Sequence, residues 1–122
     1  MTDDAEALAE RVRALADGRP GVVGLALRPE DDWVSGTFAL TVNEHPAVVV
    51  LSDGGLMVRV AKADHAVFGA EPGVRPKPLN PRGAGGWLRV AVSADASDAE
   101  LRAWVERGLA FAGTLPHPDE YS

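Results

Sequence analysis

The run Ala47-Val48-Val49-Val50-Leu51, then Ser52-Asp53-Gly54-Gly55, then Leu56-Met57-Val58-Arg59-Val60, leaves this chain little freedom of fold. A β-branched apolar run fits a buried central strand. Its two following glycines supply the positive φ that a tight hairpin needs. In the return strand Leu56, Val58 and Val60 share one face, because side chains alternate along a strand. A tight hairpin can only pair its strands antiparallel. An antiparallel sheet is therefore the frame onto which the rest of the chain must pack.

Upstream, Phe38, Leu40 and Val42 alternate within WVSGTFALTV, residues 33–42, and Asn43-Glu44-His45-Pro46 reads as the turn into the central strand. Residues 22–28, VVGLALR, are a further strand candidate that Gly24 weakens. Pro29-Glu30-Asp31-Asp32 is a turn. Residues 61–70 read as a short helix stopped by Pro72-Gly73. Residues 75–86 read as a loop rich in Pro and Gly with room for one short strand, and Trp87-Leu88-Arg89-Val90-Ala91-Val92 as another strand.

Both ends are helical. In the first helix Ala5, Leu8, Val12 and Leu15 form one stripe, Asp3 and Glu6 suit a capping box, and Gly18 and Pro20 stop it. The last helix gives the strongest helical pattern. Ser97 and Glu100 form a capping box, and Leu101, Trp104, Val105, Gly108, Leu109 and Ala112 make one stripe. Amphipathic helices at both ends must cover a sheet face. The expected fold class is α+β, a two-layer sandwich with an antiparallel sheet of about five strands. A single domain over residues 1–115 is expected, with a mobile tail at 116–122.

Composition narrows the chemistry. The 122 residues contain no cysteine, which removes disulfides, thiolate catalysis and cysteine-ligated zinc. The acidic start Met1-Thr2-Asp3-Asp4 has no apolar run and does not read as a leader. A cytoplasmic protein without a membrane segment is the expectation. No His pair stands at i, i+4, so no metal site or other cofactor is expected. His45 reads as a solvated turn residue, His65 as a surface or helix-face residue beside Asp64, and His117 as part of the tail. Gly83-Ala84-Gly85-Gly86 lacks the Lys-Ser/Thr of a phosphate loop and leads into a strand, so it reads as a turn. Ser35, Ser52, Ser93 and Ser97 have no nucleophile-elbow context. No catalytic residue is assigned.

Charge is the one uneven feature. The net charge is −6, yet Arg59, Lys62, Arg75, Lys77, Arg82 and Arg89 all fall within residues 59–89 against only Asp64 and Glu71. That segment stands at +4, while the remainder, with six basic and sixteen acidic residues, stands at −10. If the segment folds onto one surface, it offers a patch for an anion or an acidic partner. Apart from Trp87, aromatics suited to base stacking are absent from it, which disfavours nucleic acid. Trp33, after the acidic turn, is a candidate interface anchor, with simple packing as the plainer role.

FALTVNEHPAVVV, SDGGLMVRVAKADH, EPGVRP, GGWLRV and LRAWVERGLAFAGTLP follow one another from Phe38 onward. In that order they resemble the TfoX (Sxy) N-terminal domain family. The family's Lys/Arg-Met-Phe-Gly-Gly motif reads Trp33-Val34-Ser35-Gly36-Thr37 here, and its Arg-Pro-Met loop reads Arg75-Pro76-Lys77. The resemblance implies the order α-β-β-β-α-β-β-α, similar to secretion chaperones, and a stand-alone domain linked to regulation. The resulting expectation is a non-enzymatic protein-binding or regulatory module that self-associates through exposed strand edges. The alternatives are a small enzyme or ligand-binding protein with a pocket between helices and sheet, and direct nucleic-acid binding through the basic segment.

Overall fold

A computed structural model describes residues 3–27, 36–80 and 85–115. The elements are α1 (Asp3–Ala16), β1 (Val22–Ala26), β2 (Gly36–Val42), β3 (His45–Leu51), β4 (Leu56–Val60), α2 (Lys62–Gly69), β5 (Val74–Pro76), β6 (Gly86–Val90) and α3 (Asp98–Ala112). The strands form one open antiparallel sheet in the order β1-β2-β3-β4-β6-β5. The α+β class holds. Among the described residues the sheet has six strands rather than about five, and four of them precede α2.

The extra strand is β1. It pairs with β2 from Val22 opposite Val42 to Ala26 opposite Phe38. Gly24, which weakened it on the page of the sequence, is what lets it pair there. A Cβ on Gly24 would come within 2.7 Å of the Phe38 ring, so the missing side chain makes room for that ring. The β2–β3 turn is tighter than expected. Asn43 and Glu44 alone form it, with φ of 50° and 71°, and His45 already belongs to β3.

One face of the sheet carries the core. Phe38, Leu40, Val48, Val50, Leu56, Val58, Leu88 and Val90 lie on it and pack against Leu8 and Val12 of α1 and Leu101, Trp104, Val105 and Leu109 of α3. All six residues of the stripe read on α3 are buried. Ser97 Oγ accepts a hydrogen bond from the Glu100 backbone N–H at 3.1 Å, as its capping signature requires. Asp3, expected to cap α1, instead lies within it. α2 joins the same helical layer, because Phe68 packs edge-on against Trp104 at 6.3 Å between ring centroids. The central strand β3 is buried on both faces, with Val48, Val49 and Val50 fully covered.

Ion pairs tie the helices together. Arg11 of α1 reaches the Ala94 and Ala96 carbonyls, both at 2.6 Å, and Asp98 at the start of α3. Arg19 holds Glu106 of α3 with two N–H donors, one at 2.8 Å. The hydrogen bonds from Arg19 hold the Glu106 carboxyl below its ordinary range, and the pairing raises the Arg19 guanidinium in turn. A lowered folded-state pKa adds stability that is present above the unfolded value and is lost as pH falls through the folded one. The melting-temperature gap between the native chain and Arg19→Gln should therefore be widest at neutral pH and close as pH falls below the free glutamate value of about 4.3. Thermal melts of both proteins across that range check this, and a gap that is constant with pH would remove Glu106 as its origin.

Candidate functional site

Sheet registry decides where the basic residues go. Leu56, Val58, Leu88 and Val90 face the helices, so strict alternation turns Met57, Arg59, Trp87 and Arg89 to the other face. On that face Met57 stands opposite Arg89, Arg89 opposite Arg75, and Arg59 opposite Trp87. The backbone N–H of Lys77 donates to the Trp87 carbonyl at 2.9 Å, which extends the β5–β6 pairing by one residue. Lys77 therefore falls on the same side as Arg75. Four of the six candidate cations, Arg59, Arg75, Lys77 and Arg89, share the helix-free face of β4, β6 and β5, around Met57 and Trp87.

Their environments differ. Arg59 starts from this face but is half-buried, and its guanidinium reaches away toward α3, 5.8 Å from the Trp87 ring centroid, 5.9 Å from that of Phe111 on α3 and 3.4 Å from the Pro46 carbonyl. Burial lowers its pKa from the ordinary arginine value, and an arginine so placed still carries its charge. Arg89 is exposed and pairs with Asp53 in the β3–β4 turn at 2.6 Å. Arg75 and Lys77 are exposed and make no side-chain ion pair among the described residues. Lys62 opens α2, in the helical layer rather than on this face. Arg82 and Trp33 lie outside the described residues, as do Pro29 to Asp32, Ser35, His117 and the expected tail.

The other half of the helix-free face is different in kind. Ala39, Thr41 and Val49 are buried there, and Leu27 approaches Val49 beside Gly36. Val23 and Leu25 of β1 are 52% and 46% exposed. This face therefore runs from exposed apolar residues on β1 to exposed cations on β5.

His65 is buried, not a surface residue. Its Nε2–H donates to the Trp87 carbonyl at 3.2 Å, since a carbonyl can only accept. Space for the ring comes from Gly86, where a Cβ would stand 2.6 Å from it. His45 is half-buried at the start of β3 rather than in a solvated turn. Gly85 has φ of 73° and packs closely against Phe111, while Gly83 and Ala84 lie outside the described residues. Among the described residues no three His, Asp or Glu side chains cluster as metal ligands. An open groove of about 440 Å³ runs past Asp53, Gly55, Arg89, Val92 and Ser93. Its acid and its base are already paired with each other.

One arrangement had no sequence signal. Arg107 of α3 lies 4.2 Å from the Phe68 ring centroid and 4.4 Å from that of Trp104, and bonds Glu71 at 3.0 Å. It clamps α2 and the turn before β5 onto α3. The i, i+3 spacing of Trp104 and Arg107 places them on neighbouring turns, but the partners on α2 come from a distant part of the chain.

No helix among the described residues is long and apolar enough to cross a membrane. Scans against protein-family models, curated proteins and solved structures return no match to this chain.

Proposed function

We propose that this chain is a non-enzymatic binding module that takes an acidic segment of a protein partner on the helix-free face of β4, β6 and β5. The observation that carries the reading is the convergence of Arg59, Arg75, Lys77 and Arg89 around Met57 and Trp87, on a protein whose net charge is −6. Such a local reversal of sign steers an oppositely charged partner and fixes its register. Met57 and Trp87 add apolar contact between the cations, the mixture that interface centres favour. The proposal includes kinship with the TfoX N-terminal domain, a secretion-chaperone-like layout, a regulatory role and a cytoplasmic setting. The ordered segments from Phe38 to Ala112 support that part.

The test is fluorescence anisotropy of a labelled Asp/Glu-rich peptide against the native chain and Arg75→Glu/Lys77→Glu. Both side chains are exposed, so the fold should survive the change. The double variant should weaken binding by roughly tenfold or more, and added salt should weaken the native complex. Equal binding by both proteins would remove the face as the site. Binding of a single-stranded oligonucleotide but not the peptide would replace this reading with nucleic-acid recognition.

A further inference from the structure

The two edges of the sheet are built in opposite ways. The β5 edge is three residues long, contains Pro76 and carries Arg75, with Lys77 next to it. Short length, proline and charge are the devices that keep an edge from pairing. The β1 edge has none of them. Its residues Val22, Val23, Gly24, Leu25 and Ala26 are uncharged, and the last four are exposed. α1 packs on β2 and β3, so β1 overhangs the helical layer.

Hydrogen-bond phase shows which groups β1 offers. Asn43 N–H donates to the Gly21 carbonyl and Leu27 N–H to the Thr37 carbonyl. Bonded positions recur at every second residue of an antiparallel pair. Val23 and Leu25 therefore bond β2, while Gly24 and Ala26 turn their N–H and C=O groups outward. Val22 N–H is already taken by the Arg19 carbonyl, and its C=O points outward too.

We propose that two copies of this chain pair through β1, antiparallel and two-fold symmetric about Gly24, giving one sheet continuous across both subunits. In that register Gly24 exchanges two bonds with its own copy, and each Ala26 N–H meets the other chain's Val22 carbonyl. Val23 then stands directly opposite the partner copy's Leu25, and Leu25 opposite its Val23, on the helix-free face. These are non-bonded pairs, whose side chains approach closest. The four exposed apolar side chains thus cover one another, and an isologous contact of this kind closes. The uncharged edge admits a second copy. Two chains of net −6 repel, and β1 is a stretch where they meet without placing like charges opposite each other. Two five-residue strands bury far less than the ~800 Å² per partner of a stable interface, so the dimer must depend on concentration. The surface is separate from the basic face and does not rest on the reading given for it.

Sedimentation velocity over a wide concentration range, read with amide hydrogen exchange, tests the proposal. The native chain should pass from monomer to dimer as concentration rises, and added salt should favour the dimer by screening like charge. Association of the basic face with an acidic surface would respond to salt in the opposite sense. The Gly24 and Ala26 amides should exchange roughly tenfold more slowly in the dimer, while those of Val23 and Leu25, bonded to β2 in either state, change little. Val23→Lys/Leu25→Lys should stay folded by circular dichroism and remain monomeric, since lysines would face lysines across the axis. A native chain that is monomeric throughout overturns the proposal, as does a dimer untouched by the double substitution. Protection of Gly24 and Ala26 only on adding an apolar peptide would assign the edge to a strand from another protein.

Discussion

Trp104→Ala is expected to cost about 3–5 kcal/mol, the range for removing a large buried aromatic side chain. The residue is 4% exposed and sits where α3, α2 and the sheet meet. Its loss leaves a cavity that backbone cannot readily fill, and it strips Phe68 of its edge contact and Arg107 of one of its two rings. α2 packs on β5 and β6, and its C-terminal turn leads into β5. Loosening it loosens the strand that carries Arg75. The substitution should therefore reduce binding at the basic face as well as stability, although Trp104 lies on the opposite side of the sheet. Urea denaturation measures the first effect. Trp104→Phe, which keeps a ring near Phe68, should recover much of it. A loss below about 1 kcal/mol for Trp104→Ala would mean that this junction does not hold α2.

What could be read beforehand depended on how local its cause was. The α3 stripe and its Ser97 cap are set by residues within one or two turns, and the same holds for the hairpin at Gly54 and Gly55, both at φ of 88°. The inward face of β4 was equally legible, since alternation alone fixes it. That alternation also turned Met57 and Arg59 outward. What alternation could not supply was the strand order. The hairpin joins β3 to β4, but the placement of β6 and β5 beside β4 rests on contacts between distant segments. The six cations were visible as a run in the sequence, yet only this registry puts four of them on one face and leaves Lys62 among the helices.

Two departures from the sequence pattern share a cause: a remote glycine that makes room for a ring. His65 reads as a surface or helix-face residue because Asp64 stands beside it. It is buried because Gly86, twenty-one positions away, has no side chain to occupy the space. Strand β1 looked doubtful because of Gly24, and that glycine accommodates Phe38 of the strand beside it. A propensity scale counts each glycine as a local weakness. The compensating gain is a burial elsewhere, and no window along the chain contains both.

Gly108 is the sharpest case, because two effects oppose each other there and their sizes decide the sign. A glycine inside a helix costs about 1 kcal/mol relative to alanine, so local propensity alone makes Gly108→Ala stabilising. Packing says otherwise. A Cβ at this position would stand 2.7 Å from the Ala47 carbonyl oxygen and 2.7 Å from Val48 Cγ2. The carbonyl belongs to central strand β3 and cannot turn aside, so α3 would have to rise from the sheet. Overpacking of a well-filled core costs about 1–3 kcal/mol and occasionally more. Gly108→Ala should therefore destabilise by about 1 kcal/mol net, and Gly108→Leu, with three further carbons, by about 3 kcal/mol or more. Urea denaturation of the pair checks both. An alanine variant more stable than the native chain would show that α3 does not approach β3 this closely. The expected result would tie the closest approach of helix to sheet to one residue lying between Trp104 and Ala112 on a stripe otherwise made of side chains.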